Sequence, residues 1–148
     1  GAGQRERALR AAWIGALIAA GLSEAIGLAA AAAPGAWLRL FDSDPVMLDA
    51  GSRYLHVVGP VYGFFGLGMA LYFAAQGAGR LLWPLLANAT RLVIAAGGGW
   101  LVLRGDGGLS HVFIALAVAL AAFGLINAAA VALGAWFRAP RRAPLARR

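Results

Sequence analysis

The sequence predicts an all-α, polytopic membrane protein, a bundle of four transmembrane helices. Three observations carry that prediction. Apolar residues make up 61% of the 148-residue chain and charged residues only 13%, against about 45–50% and about 25% in soluble proteins. The apolar residues fall in four blocks of about 22–27 residues, each about 33–40 Å long as a helix and able to cross about 30 Å of hydrocarbon. Within the blocks they run continuously and do not alternate, which excludes the strands of a membrane barrel.

The elements follow in order. Residues 1–10 form a polar link, and the first span covers 11–33 with Glu24 as its only charge. An interfacial segment, 34–53, comes next. Pro34 and Gly35 end the first span, and Trp37 to Phe41 suit the headgroup layer, where an indole ring anchors. Asp42-Ser43-Asp44-Pro45 then predicts a helix start, with Asp44 or Ser43 as cap and Pro45 at the first helical position. That helix is expected to continue into the second span, 54–75, which carries no formal charge. Gly59 and Pro60 should kink it inside the membrane. A glycine-rich turn, Gln76 to Arg80, leads to the third span, 81–103, with Arg91 inside it. A second turn, Arg104 to Gly108, leads to an uncharged fourth span, 111–137, and the basic tail 138–148.

The net charge is +7, and all thirteen basic residues are arginine. Most flank the spans and form no face on a soluble domain, so they read as topology determinants and exclude a nucleic-acid partner. Nine lie on the side of the two termini and three on the other, which predicts cytoplasmic termini and a plasma (inner) membrane location, multi-pass. The lipid bilayer is therefore the first partner. No cysteine is present, which removes disulfides, thiolate metal sites and cysteine nucleophiles. His56 and His111 form no metal pattern, no enzyme constellation emerges, and no cofactor is expected. A chain beginning at Gly1 is expected to be a processed product or an excised piece.

Polar groups inside the spans are the candidate transport residues. Glu24 and Arg91 both lie about 14–15 Å inside their spans at 1.5 Å per residue. Each costs about 2.5–3.5 kcal/mol if left unpaired at the centre. Their matched depth motivates a contact between them. Glu24 suits a structural partner and a proton or cation site equally, whereas permanently charged Arg91 suits structural pairing or snorkelling. Pro84, Asn88 and Arg91 make one polar stripe on the third span. Tyr62, just past the Gly59-Pro60 kink, is placed to meet a cavity or a neighbouring helix. Asn127 is expected to bond a neighbouring helix, and His56 to sit solvated at the interface.

The residues also resemble a family. Gly1-Ala2-Gly3 with Arg7-Ala8 and Arg10-Ala11, the run Trp37 to Pro45, then Ala50 and Tyr54-Leu55, look like segments of the multidrug and toxic compound extrusion (MATE) transporters. Gly59-Pro60-Val61-Tyr62-Gly63, Gln76-Gly77-Ala78-Gly79, Pro84 and Arg91 extend the likeness. The resemblance implies the ninth to twelfth helices of a twelve-helix transporter, the last four of its C-terminal lobe. It further implies efflux of small organic, cationic substrates in exchange for sodium or protons, with alternating access. The N-terminal lobe of the same polypeptide would then be the missing partner. Some members carry an acidic coupling residue in the tenth helix; the corresponding region here, near Phe64 and Phe65, has none. Two other readings stay open: a small multidrug-resistance-type dimer using Glu24, and a non-transporting anchor or assembly subunit with its tail on anionic lipid.

Overall fold

A computed structural model describes residues 4–105 and 107–134. The expected tail, Asp106 and the end of the fourth span lie outside them. Helix α1 runs Arg5–Ala32. It starts before the apolar block because helix propensity, unlike hydropathy, does not distinguish arginine and glutamate from leucine. It stops where Ala33 takes φ −136°, ψ 58°, since the residue before a proline is pushed out of the helical region. Pro34 opens the short α2, Pro34–Leu38. Trp37, Leu40 and Phe41, around its end, are exposed.

Helix α3, Pro45–Val58, begins as expected at the capped proline. Asp44 Oδ1 accepts from the Val46 N–H at 2.7 Å and the Met47 N–H at 3.1 Å. The second span then breaks. A single turn of 3₁₀ helix occupies Gly59–Val61, and α4 resumes at Tyr62 and runs to Gly77. Pro60 has no N–H to give to the preceding turn, and its ring crowds that turn, so the α-helical ladder cannot pass through it. At the far end Gly79 takes φ +67°. The Arg80 N–H bonds the Ala75 carbonyl and the Gly79 N–H that of Gln76, both at 2.9 Å. These two bonds close the helix in a Schellman motif that needs a left-handed residue.

Helix α5, Leu82–Arg104, takes Pro84 in its first turn, where the missing N–H had no intrahelical partner. Helix α6 runs Leu109–Ala132. The helices pack in the order α1, α4, α6, α5, with α3 lying against α1 and α6. Helices α1 and α5 thus occupy opposite flanks of the α4–α6 pair. Glycines sit at the closest crossings: Gly27 and Gly59 face each other between α1 and the helix break, and Gly66 faces Ala19 and Ser23. On the other side of α4, Gly124 of α6 meets the backbone of Phe64. In lipid such contacts gain dispersion energy from close backbone approach, since apolar side chains gain little by leaving hydrocarbon.

The buried centre is small. Phe123, Leu71 and Val58 are fully enclosed, and Ala16, Leu71, Ala75 and Val131 join α1, α4 and α6 near one end. Most large side chains point outward: Ile18, Leu85, Leu92, Val93 and Leu101 are each about two-thirds exposed. Four helices, Arg5–Ala32, Pro45–Gly77, Leu82–Arg104 and Leu109–Ala132, are long and apolar enough to cross a bilayer. A surface this greasy is at rest only in hydrocarbon. The chain is a polytopic, α-helical membrane protein.

Candidate functional site

The candidate side chains Glu24, Tyr62, Asn88 and Arg91 border two faces of α4. The first face opens on a cavity of about 500 Å³ between the α3–α4 helix and α5, floored by α6. It exists because α5 packs on α6 and has no substantial interface with α4. Tyr54, Tyr62 and Phe65 form one wall, Asn88 and Arg91 the other, and Ala119 part of the floor. The predicted stripe on α5 thus faces inward: Pro84 is buried, and Asn88 and Arg91 are half-buried. The Arg91 guanidinium carbon lies 5.4 Å from the ring centre of the fully buried Phe123, within range of a cation–π attraction.

The second face is a shallow groove between α1 and α4, where Glu24 lies beside Pro60, Gly63 and Phe64. Glu24 Oε2 accepts from the Gly63 N–H at 2.7 Å across the helix interface. The origin of this bond is the break itself. A helix that restarts at Tyr62 leaves its first-turn N–H groups without intrahelical acceptors, and the 3₁₀ turn uses the Gly59 carbonyl for the Tyr62 N–H. The carboxylate of a neighbouring helix supplies the missing acceptor at the positive end of α4. Glycine at position 63 makes the approach possible, because a Cβ there would stand 2.8 Å from Glu24 Oε2.

Two expectations need correction. Glu24 and Arg91 do not pair: Glu24 bonds the Gly63 N–H and Arg91 lies over the Phe123 ring, while an ion pair, Asp49–Arg53 at 2.7 Å, forms on the exposed side of α3. Equal depth does not bring them together, since α1 and α5 are kept apart by two helices. Asn127 is buried, but instead of the expected bond to a neighbouring helix its amide donates to the Phe123 carbonyl one turn back at 2.9 Å. His56 is exposed and its Nδ1 lies 2.7 Å from the Ser52 carbonyl. Tyr62, Asn88 and Arg91 share the cavity, while Gly59 and Pro60 form the break that puts Glu24 to use.

Sequence reasoning missed Tyr54 as a cavity residue. The signal was available: Tyr54, Tyr62 and Phe65 are spaced i, i+8, i+11 and fall on one helical face. It also missed Glu24 as a cap across helices, which no one-dimensional spacing encodes.

A broken second span, a carboxylate closing the break and a polar cavity at mid-span define a helical membrane protein of the transporter type, in which discontinuous helices mark the working region. The family comparison agrees. The family model described as MatE matches residues 1–101, from the start of the chain through most of α5. The chain belongs to the MatE family, the multidrug and toxic compound extrusion transporters, which are not enzymes. No curated protein matches the chain, and no solved structure does.

Proposed function

We propose that this chain supplies the last four helices of the C-terminal lobe of a cation-coupled multidrug efflux antiporter, working by alternating access in the plasma (inner) membrane with both ends of the chain cytoplasmic. The observation that carries the reading is the Glu24–Gly63 bond across the break in the second span. A carboxylate at mid-span whose bond partner is a helix terminus responds to the arrival of a proton or sodium ion. Neutralising it weakens the hold on α4 and lets the α3–α4 joint move. The cavity on the other face of α4 is then the part of the substrate path that such movement opens and closes. The N-terminal lobe of the same polypeptide is the partner against which it rocks.

The test is ethidium efflux from an efflux-deficient bacterium expressing the whole transporter that contains this chain. Efflux should depend on a sodium or proton gradient, and Glu24→Gln should uncouple it while leaving the protein in the membrane. Gradient-dependent efflux unchanged in Glu24→Gln would remove Glu24 from coupling. Absence of efflux from the unaltered protein, for ethidium and for organic anions alike, would remove the transport reading.

A further inference from the structure

We infer that Phe123 links α4 to Arg91, so that a tilt of α4 at the break in the second span repositions the arginine in the cavity wall. Helix α5 packs on α6 and has no substantial interface with α4, so a movement of α4 needs an intermediary to reach it. The side chains supply one. Phe65 of α4 lies 6.5 Å from Phe123 of α6, ring centre to centre, at an interplanar angle of 35°, within the range of an attractive aromatic pair. The same ring carries the Arg91 guanidinium of α5, 5.4 Å from its centre, a cation–π contact. Three helices thus meet on one side chain.

The setting of that side chain makes it a transmitter. Phe123 is fully buried, and a close-packed interior passes displacement on because it holds little slack to absorb it. Its carbonyl takes a bond from the Asn127 amide at 2.9 Å, which ties the backbone, so the ring is the part left to respond. Helix α4 presses on the ring from Gly68 as well, where a Cβ would stand 2.5 Å from Phe123 Cδ1 and Cε1. The α3 half of the broken helix rests on α6 separately, through Tyr54 set edge to face against Phe113 with ring centres 5.4 Å apart. Bending at Gly59–Val61 therefore changes the Phe65–Phe123 contact about a pivot that Tyr54 and Phe113 hold. Packed side chains shared between helices carry coupling of this kind. That α4 is the moving part rests on the transport reading; the contacts from α4 to Arg91 do not.

The test follows the arginine itself. In the whole transporter that contains this chain, isotope-labelled at arginine, otherwise deuterated and held in detergent micelles, the Arg91 Nε–H resonance is assigned by its loss in Arg91→Lys. Gly68→Ala pushes on the ring from α4, at a position that does not line the cavity, and should move that resonance by more than its linewidth. Gly21→Ala, with nothing within 4 Å of its Cβ, should leave it in place. In a Phe123→Leu background, which removes the ring and keeps an apolar side chain, Gly68→Ala should no longer move it. Glu24→Gln, which weakens the hold on α4 from the opposite face, should move it too, and only where Phe123 is present. An unmoved resonance in folded Gly68→Ala would overturn the inference, and so would a shift that persists in the Phe123→Leu background. If Gly68→Ala does not fold, Phe65→Leu takes its place with the same expectations. A resonance moved by Gly68→Ala and not by Glu24→Gln would uphold the link through Phe123 and count against Glu24 as the hold on α4.

Discussion

Gly59 is held to glycine by space alone, because its φ of −50° is open to any residue. A Cβ there would stand 2.6 Å from the Gly27 carbonyl oxygen and 3.0 Å from the Ala31 Cβ. Carbon and oxygen in ordinary contact need about 3.5 Å, so α1 and the break must part by about 1 Å at their tightest crossing. Neither obstacle is the end of a flexible side chain; one is backbone and the other a methyl on the helix. Overpacking of this kind costs about 1–3 kcal/mol, and the Glu24–Gly63 bond lies one turn away in the same interface. Gly59→Ala should therefore lower stability by about 1–3 kcal/mol, or about 5-fold to about 150-fold in the folding equilibrium. Gly21→Ala on α1, with nothing within 4 Å of its Cβ, is the control, expected to be neutral or to stabilise by up to about 1 kcal/mol. Titration of mixed micelles with dodecyl sulfate, followed by tryptophan fluorescence, measures both. Equal stability of the two variants would refute the packing argument.

Three further outcomes follow from the same structure. Glu24→Leu removes the acceptor of the Gly63 N–H and should cost about 1.5–3 kcal/mol, while Glu24→Gln, which keeps an oxygen at that place, should cost less; the same titration ranks them. Phe123→Ala empties the fully buried ring site between α4 and α6 and removes the face under Arg91, for an expected loss of about 3–5 kcal/mol. Asp44→Ala deletes both side-chain bonds to the start of α3 and should cost about 0.5–2 kcal/mol, seen as faster amide exchange at Val46 and Met47 with Leu71 unchanged.

Much of this molecule was legible because the governing physics is local. Asp44 and Pro45 announce a helix start through one side chain and one ring, and Pro60 interrupts a helix wherever it stands in one. The four spans follow from hydropathy, since a bilayer reads sequence along one axis. That axis is silent on which helices neighbour each other. The expected contact of Glu24 and Arg91 failed for this reason. Which glycines are indispensable was equally hidden: Gly98 meets the Ala115 methyl, whereas Gly97 and Gly99 beside it face open space, a difference set by the rotation of α5 against α6. The cavity itself arises from the gap between α4 and α5, a product of packing order that no segment encodes alone.

The absence of cysteine allows the most direct test, single-cysteine labelling with a membrane-impermeant maleimide on spheroplasts. Ser43→Cys and Gly107→Cys should react from outside, Ala78→Cys only after the membrane is opened, and Leu17→Cys and Leu92→Cys in neither case. Reaction of Ser43→Cys and Ala78→Cys from the same side would contradict four membrane-crossing helices, and with them the account of how this protein is built.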